Sequence, residues 1–274
     1  MSFTLQGPLL LVGAGKMGGA LLSRLLERGL DPRLVIVQDP EPTGDIADLL
    51  ADHAIDVLPY IDELSSAPAV ILLAVKPQVM DTVLPQLAHL VDAHTLVLSI
   101  AAGRRIAGLE AHLPKGAAVV RAMPNTPAAI GRGVTVAVAN SSVSPAQRGL
   151  ADELLSAGGG VMWVTDEALL DPVTAVSGSG PAYVFLLAEC LAEAGRAAGL
   201  DADFAAKLAR DTVIGSAALL EQSDLDASAL RRNVTSPGGT TAAALEVLTG
   251  PKGLKELMAE AVAAATKRGR ELAK

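Results

Sequence analysis

The sequence predicts an α/β protein in two parts, a doubly wound, mostly parallel sheet over residues 1–165 and an all-α domain over residues 166–274. Three observations carry this. Short continuous apolar runs alternate with helical patterns through the first half. The first run, Leu9 to Val12, breaks at a glycine-rich turn and reopens as a helix. From about Asp166 no strand pattern recurs, and only helix-length apolar stretches follow.

Taken in order, Leu9-Leu10-Leu11-Val12 reads as a buried strand, Gly13-Ala14-Gly15-Lys16-Met17-Gly18 as the turn, and Ala20, Leu21, Leu22, Leu25 and Leu26 as the apolar face of a helix. In that context G-x-G-x-x-G is the dinucleotide-binding pattern of a Rossmann-type fold. Its first glycine permits the tight turn, the second lets a pyrophosphate approach the backbone, and the third lets the helix lie close to the strand. Further strands are expected at 34–37, 69–75, 95–100, 117–120, 134–139 and 161–164. Helices are expected at 46–50, 79–90, 106–113 and 144–156. Ligands of such sheets bind at the strand C-terminal ends, so the loops around Gly13, Lys76 and Ala101 should line one rim. Asp39, just after the second strand, is placed to accept hydrogen bonds from adenosine ribose hydroxyls, and no Lys or Arg occurs between Arg33 and Lys76. Both features favour NADH. The segment from Arg121 to Pro127, with two prolines, reads equally well as a site lip or a long connection.

Composition narrows the function. Half the residues are apolar but 2% are aromatic, so the core is built from Ala, Leu and Val. A net charge of -8 argues against a nucleic-acid binder or an anionic-membrane binder. One cysteine, Cys190, allows no internal disulfide and no metal cluster; it is expected to pack as a small apolar residue. No apolar run is expected to reach the ~20 residues of a membrane span, and the N-terminal residues lack the basic region of a signal peptide, so a soluble cytoplasmic protein is expected.

The second half predicts helices at 181–198, 201–220, 227–232 and 253–272, apolar on more than one face, which implies an obligate homo-oligomer. Between the last two lies Asn233-Val234-Thr235-Ser236-Pro237-Gly238-Gly239-Thr240-Thr241, opening into a helix through Leu248 with Thr240-Thr241 at its expected N-cap. Flexible glycines and hydroxyls at a helix start suit an anion. All four histidines lie in the first half, without metal-ligand spacing. Histidine-driven alcohol oxidation loses appeal; reduction of an imine, whose nitrogen is readily protonated in water, fits better. Thr241 could hydrogen-bond that nitrogen while Ser236 to Thr240 hold a carboxylate.

Together with Ala74-Val75-Lys76-Pro77, Ser99-Ile100-Ala101-Ala102-Gly103, Arg121-Ala122-Met123-Pro124-Asn125-Thr126-Pro127 and Ser177-Gly178-Ser179-Gly180-Pro181-Ala182-Tyr183, the two glycine-containing motifs resemble pyrroline-5-carboxylate reductase, in the family's order and over nearly the whole chain. The resemblance implies reduction of 1-pyrroline-5-carboxylate, a cyclic imino acid, to L-proline. It also implies NADPH as cofactor, a dimer built through the helical domain, further assembly up to a decamer, and a site shared by two subunits. By motif matching, Val12, Gly13, Ala14, Gly15, Lys16, Met17, Ala74, Val75, Lys76, Pro77, Ile100, Ala101, Ala102 and Asn233 contact the cofactor. Ser236, Gly239, Thr240 and Thr241 hold the substrate, Thr241 at its ring nitrogen, with Glu167 nearby. Asp39 departs from the Ser or Thr of many members, and Tyr60-Ile61 from a region where Asn often helps. Two rivals remain. A 3-hydroxyacid dehydrogenase would be expected to carry a lysine in the helical domain, and none lies between Trp163 and Ala206. A non-catalytic nucleotide sensor on the same fold would not need the Ser236 to Thr241 stretch.

Overall fold

The computed structural model describes residues 3, 5–61 and 64–272. By contacts the chain divides into two units, one of residues up to Gly178 joined by the end of the last helix from Thr266, the other Ser179–Ala265.

The first unit holds strands β1 (Leu9–Val12), β2 (Val35–Gln38), β3 (Asp56–Leu58), β4 (Val70–Leu73), β5 (Leu96–Ser99), β6 (Ala118–Met123), β7 (Gly133–Ala139) and β8 (Gly159–Trp163). Among the described residues they form one sheet in the order β3-β2-β1-β4-β5-β6-β7-β8. All pairs are parallel except β6 with β7. Helices α1 (Lys16–Glu27), α2 (Asp45–Asp52), α3 (Met80–Leu87), α4 (Ile106–Glu110), α5 (Pro145–Leu155) and α6 (Leu170–Val173) cover it.

Alternation along each strand sorts its side chains onto the two faces. Leu9 and Leu11 join one core with Leu21, Leu22 and Leu25 of α1 and Leu154 of α5. Leu10 and Val12 join the opposite core with Met80 and Leu84 of α3 and Leu109 of α4. Being covered twice, β1, β4 and β5 are buried at every position, which is why they read as unbroken apolar runs. Each fully buried Leu there contributes about 2 kcal/mol.

Two differences from the sequence expectation have local causes. Strand β3 has no apolar run because it is a three-residue edge strand, exposed at Asp56 and Val57. Helix α4 is shorter than its pattern: His112 N–H and Leu113 N–H turn back to Leu109 and Glu110 carbonyls, and Pro114 disfavours helical backbone at the residue before it. Helix α5 starts where its punctuation indicates. Ser144 Oγ accepts from Gln147 N–H and Ser144 N–H donates to Gln147 Oε1, a capping box. After β8 the chain makes helical turns over 167–178, ending in a π-helical run, Thr174–Gly178, and Leu170, Asp171 and Ala175 are buried there.

The second unit is helical: α7 (Gly180–Ala197), α8 (Ala202–Gln222), α9 (Ala227–Asn233), α10 (Thr240–Thr249) and most of α11 (Leu254–Leu272). Asp201 caps α8 by accepting from Asp203 and Phe204 N–H. Among its described residues, Ala205 and Ala209 are the buried hydrophobics; Phe185, Leu187, Phe204, Leu219 and Leu257 are more than half exposed. Cys190, expected to be packed, is exposed on α7, because that helix buries no residue within the single chain. Contrary to expectation, the run 167–197 is apolar and long enough to cross a membrane by length and composition. Its Ala, Val and Leu content with few charges makes it so.

Candidate active site

The register of the sheet puts Gln38, Val12, Leu73, Ser99 and Arg121 in one row across β2, β1, β4, β5 and β6. The loops that leave these strands therefore emerge side by side. Ala74 N–H donates to Val12 O at 2.8 Å and Ile100 N–H to Leu73 O at 3.0 Å. Val12 to Met17, Ala74 to Pro77 and Ile100 to Ala102 thus share one rim.

The glycine loop fits a dinucleotide pyrophosphate. Gly13 has φ +91°, and a Cβ on it would lie 2.8 Å from Val75 Cγ1. A Cβ on Gly18 would lie 2.4 Å from Gly13 O and 2.8 Å from Ala74 Cβ, so α1 approaches the sheet as no side chain would allow. Gly15 is the opposite case: no atom lies within 4 Å of its Cβ position. Gly15 is also the N-cap of α1, which carries no side-chain cap and no acidic residue in its first turn. Its leading N–H groups face an approaching anion without competition. An open cleft of about 720 Å³ adjoins the loop, bordered by Gly15, Lys16, Ser23, Thr43 and Asp45.

Asp39 stands at the end of β2 with its carboxylate fixed by backbone. Ala14 N–H donates to Oδ2 at 2.7 Å and Glu41 N–H to Oδ1 at 3.0 Å. Each oxygen retains a lone pair for a ribose hydroxyl.

A second cavity, of about 340 Å³, opens among Pro77, Ala102, Arg104, Arg121, Asp171 and Leu272. Arg104 pairs with Asp81, whose carboxyl it holds below the usual range, with a smaller contribution from His112 at 3.1 Å. Arg121 is 4% exposed and donates from Nη1 to Glu167 Oε1 at 2.8 Å. The same oxygen accepts Ile106 N–H at 2.8 Å. The residue that sequence reasoning left unassigned here is Arg121. The signal available was a charge ending the apolar run 117–120, because a cation in a buried strand requires a partner.

In the second unit, Ser236 to Gly239 make a turn closed by Gly239 N–H donating to Ser236 O at 3.0 Å. Pro237 holds its second position and Gly238, at φ +67°, its third. The N-cap of α10 is Gly239, not the threonines; Thr240 and Thr241 lie in the first helical turn, and no side chain caps it. Their hydroxyls are thereby spared capping duty. Asn233 ends α9 and is exposed. The expected site residues are therefore divided: Glu167 and the three rim loops belong to the first unit, and Asn233, Ser236, Gly239, Thr240 and Thr241 to the second.

Two families of known proteins match separate parts of the chain. A family model described as pyrroline-5-carboxylate reductase dimerisation matches residues 167–272. Another, NADP oxidoreductase coenzyme F420-dependent, matches residues 9–103. A pyrroline-5-carboxylate reductase of Pseudomonas aeruginosa is 41% identical over 262 residues, spanning 96% of this chain and 95% of that protein. The chain belongs to the pyrroline-5-carboxylate reductase family. A pyrroline-5-carboxylate reductase of Synechocystis sp. is 43% identical, over 96% of this chain and 97% of its own. Among solved structures, that of a family member from Coxiella burnetii has a TM-score of 0.90 at 34% identity, covering 98% of this chain and 99% of its own. The Plasmodium falciparum enzyme, solved with NADP bound, has a TM-score of 0.85 at 27% identity and covers 99% of this chain and 100% of its own. As a member of the pyrroline-5-carboxylate reductase family, this chain is a nicotinamide-dependent oxidoreductase that self-associates. The apolar faces of α7, α8 and α11, exposed in a single copy, suit that association, and the membrane-length run 167–197 lies wholly within the dimerisation segment.

Proposed function

We propose that this chain reduces 1-pyrroline-5-carboxylate to L-proline, the last step of proline biosynthesis, using a reduced nicotinamide cofactor. The observation that carries the site assignment is the row Val12, Leu73, Ser99, which brings three nucleotide-suited loops to one rim. The cofactor supplies the hydride. Val12 to Met17 and the first turn of α1 hold its pyrophosphate, Ala74 to Pro77 and Ile100 to Ala102 flank its nicotinamide half, and Asn233 contributes from the helical part. Residues 1–165 act as the dinucleotide domain and 166–274 as the dimerisation and substrate domain.

Ser236, Gly239 and Thr240 bind the substrate carboxylate at the start of α10. Thr241 hydrogen-bonds the ring nitrogen and acts as the catalytic residue, with Glu167 facing the substrate. The imine arrives protonated from water; hydride adds to its carbon, the C=N π pair moves to nitrogen, and the neutral amine is released to solvent. No side chain of strong acidity is required.

NADH is at least tolerated. The fixed carboxylate of Asp39 suits a ribose 2′-hydroxyl and repels a 2′-phosphate, although the family resemblance favours NADPH. We also infer assembly beyond the dimer, up to a decamer, a cytoplasmic location, and no nucleic-acid or membrane partner. The net charge of -8 supports the absence of a nucleic-acid partner. Steady-state reduction of pyrroline-5-carboxylate with NADH and NADPH in parallel tests reaction and cofactor together. Turnover with neither would overturn the reaction, and strict NADPH dependence would overturn the role of Asp39.

A further inference from the structure

We propose that Arg121 is a positioning residue for the imino acid, acting through Glu167; this rests on the proposed placement of Glu167 at the substrate. Arg121 stands in the same row of the sheet as Val12, Leu73 and Ser99, one strand beyond the cofactor loops. Its side chain is 4% exposed, and a guanidinium does not shed its proton, so it demands a fixed countercharge. Arg104, which lines the same cavity, is already engaged by Asp81. Glu167 answers the Arg121 charge.

Glu167 is less covered than its partner, at 27% exposure. Its Oε1 takes both the Arg121 Nη1 hydrogen bond and the Ile106 N–H, so one atom ties the end of β6, the first turn of α4 and the turn that begins at Glu167. The carboxyl group is thus anchored at Oε1, on a side chain that is not fully covered. The hydride acceptor is a cation, the protonated imine, and a carboxylate whose orientation is set beforehand stabilises it at no cost of ordering on binding. Without Arg121 the carboxylate would be held by the Ile106 N–H alone, and the substrate would have to complete its ordering.

The test compares R121K, R121M, E167Q and the R121M/E167Q double variant with the unaltered chain. Reduction by the unaltered chain is established first; its absence removes the functional reading, and this proposal with it. R121M and E167Q should each raise KM for the imino acid about tenfold or more, as loss of a hydrogen bond to a charged group does, with KM for the cofactor nearly unchanged. The double variant should be no worse than the weaker single, since both act on one group. R121K should recover most of the loss. Calorimetric binding of L-proline in the presence of oxidised cofactor should follow the same order. Additive losses, equal rises in both KM values, or a Lys variant no better than Met would overturn the role. Should R121M fail to fold by circular dichroism, E167Q decides: an unchanged KM for the imino acid overturns it.

Discussion

Strands β1, β4 and β5 bury every residue within one chain, whereas helices α7, α10 and α11 bury none. Both regions are rich in Leu, Val and Ala. What separates them is where the covering surface comes from. The sheet is covered by helices of its own unit, on both faces. The helical unit leaves Phe185, Leu187 and Leu219 more than half exposed in a single copy, and it lies within the family's dimerisation segment. One region is complete as a folded layer; the other keeps an exposed apolar surface that suits association.

The largest effect expected from breaking this contrast is at Gly18, where the first unit has no room. Gly18→Val should abolish binding of reduced cofactor and most soluble yield, measured by fluorescence titration and recovery. Next, Thr241→Ala should lower kcat/KM for the imine by about a hundredfold, the usual cost of a lost hydrogen bond to the reacting group. Its unfolding midpoint should hardly move, because Thr241 caps nothing.

A third substitution reads the contrast itself. Leu187→Asp, on a face exposed in one chain, should be harmless to a monomer but should weaken self-association by about a hundredfold if that face becomes buried, since an unpaired charge there costs several kcal/mol. Sedimentation across a concentration series measures it. Asp39→Ser is smaller, shifting the NADPH-to-NADH ratio of kcat/KM by about tenfold toward NADPH. Smallest is Ser144→Ala, which removes the α5 capping box and should cost about 1 kcal/mol, seen as a Tm lowered by about 3 °C.

What the sequence revealed follows the same contrast. Elements buried on both faces announced themselves as apolar runs, and the capped starts of α5 and α8 as Ser144 and Asp201. Edge strand β3 did not, because three residues, two of them exposed, carry no run. The glycine motif was legible because each glycine answers a steric demand. The Arg121–Glu167 pair was not, since its partners are 46 residues apart and spacing holds no record of register. Thr240 and Thr241 looked like caps because their residue type suits capping; the Pro237-Gly238 turn hands that position to Gly239.

The central claim is that the rim loops and the Ser236 to Thr241 turn serve one reaction. Its most direct test is loss of reduced-nicotinamide absorbance on mixing the chain with pyrroline-5-carboxylate, with L-proline followed in the same samples. Stoichiometric proline formed by the unaltered chain, and little by Thr241→Ala at equal cofactor affinity, is the expected result. Undiminished proline formation by Thr241→Ala, or no proline from the unaltered chain, would contradict it.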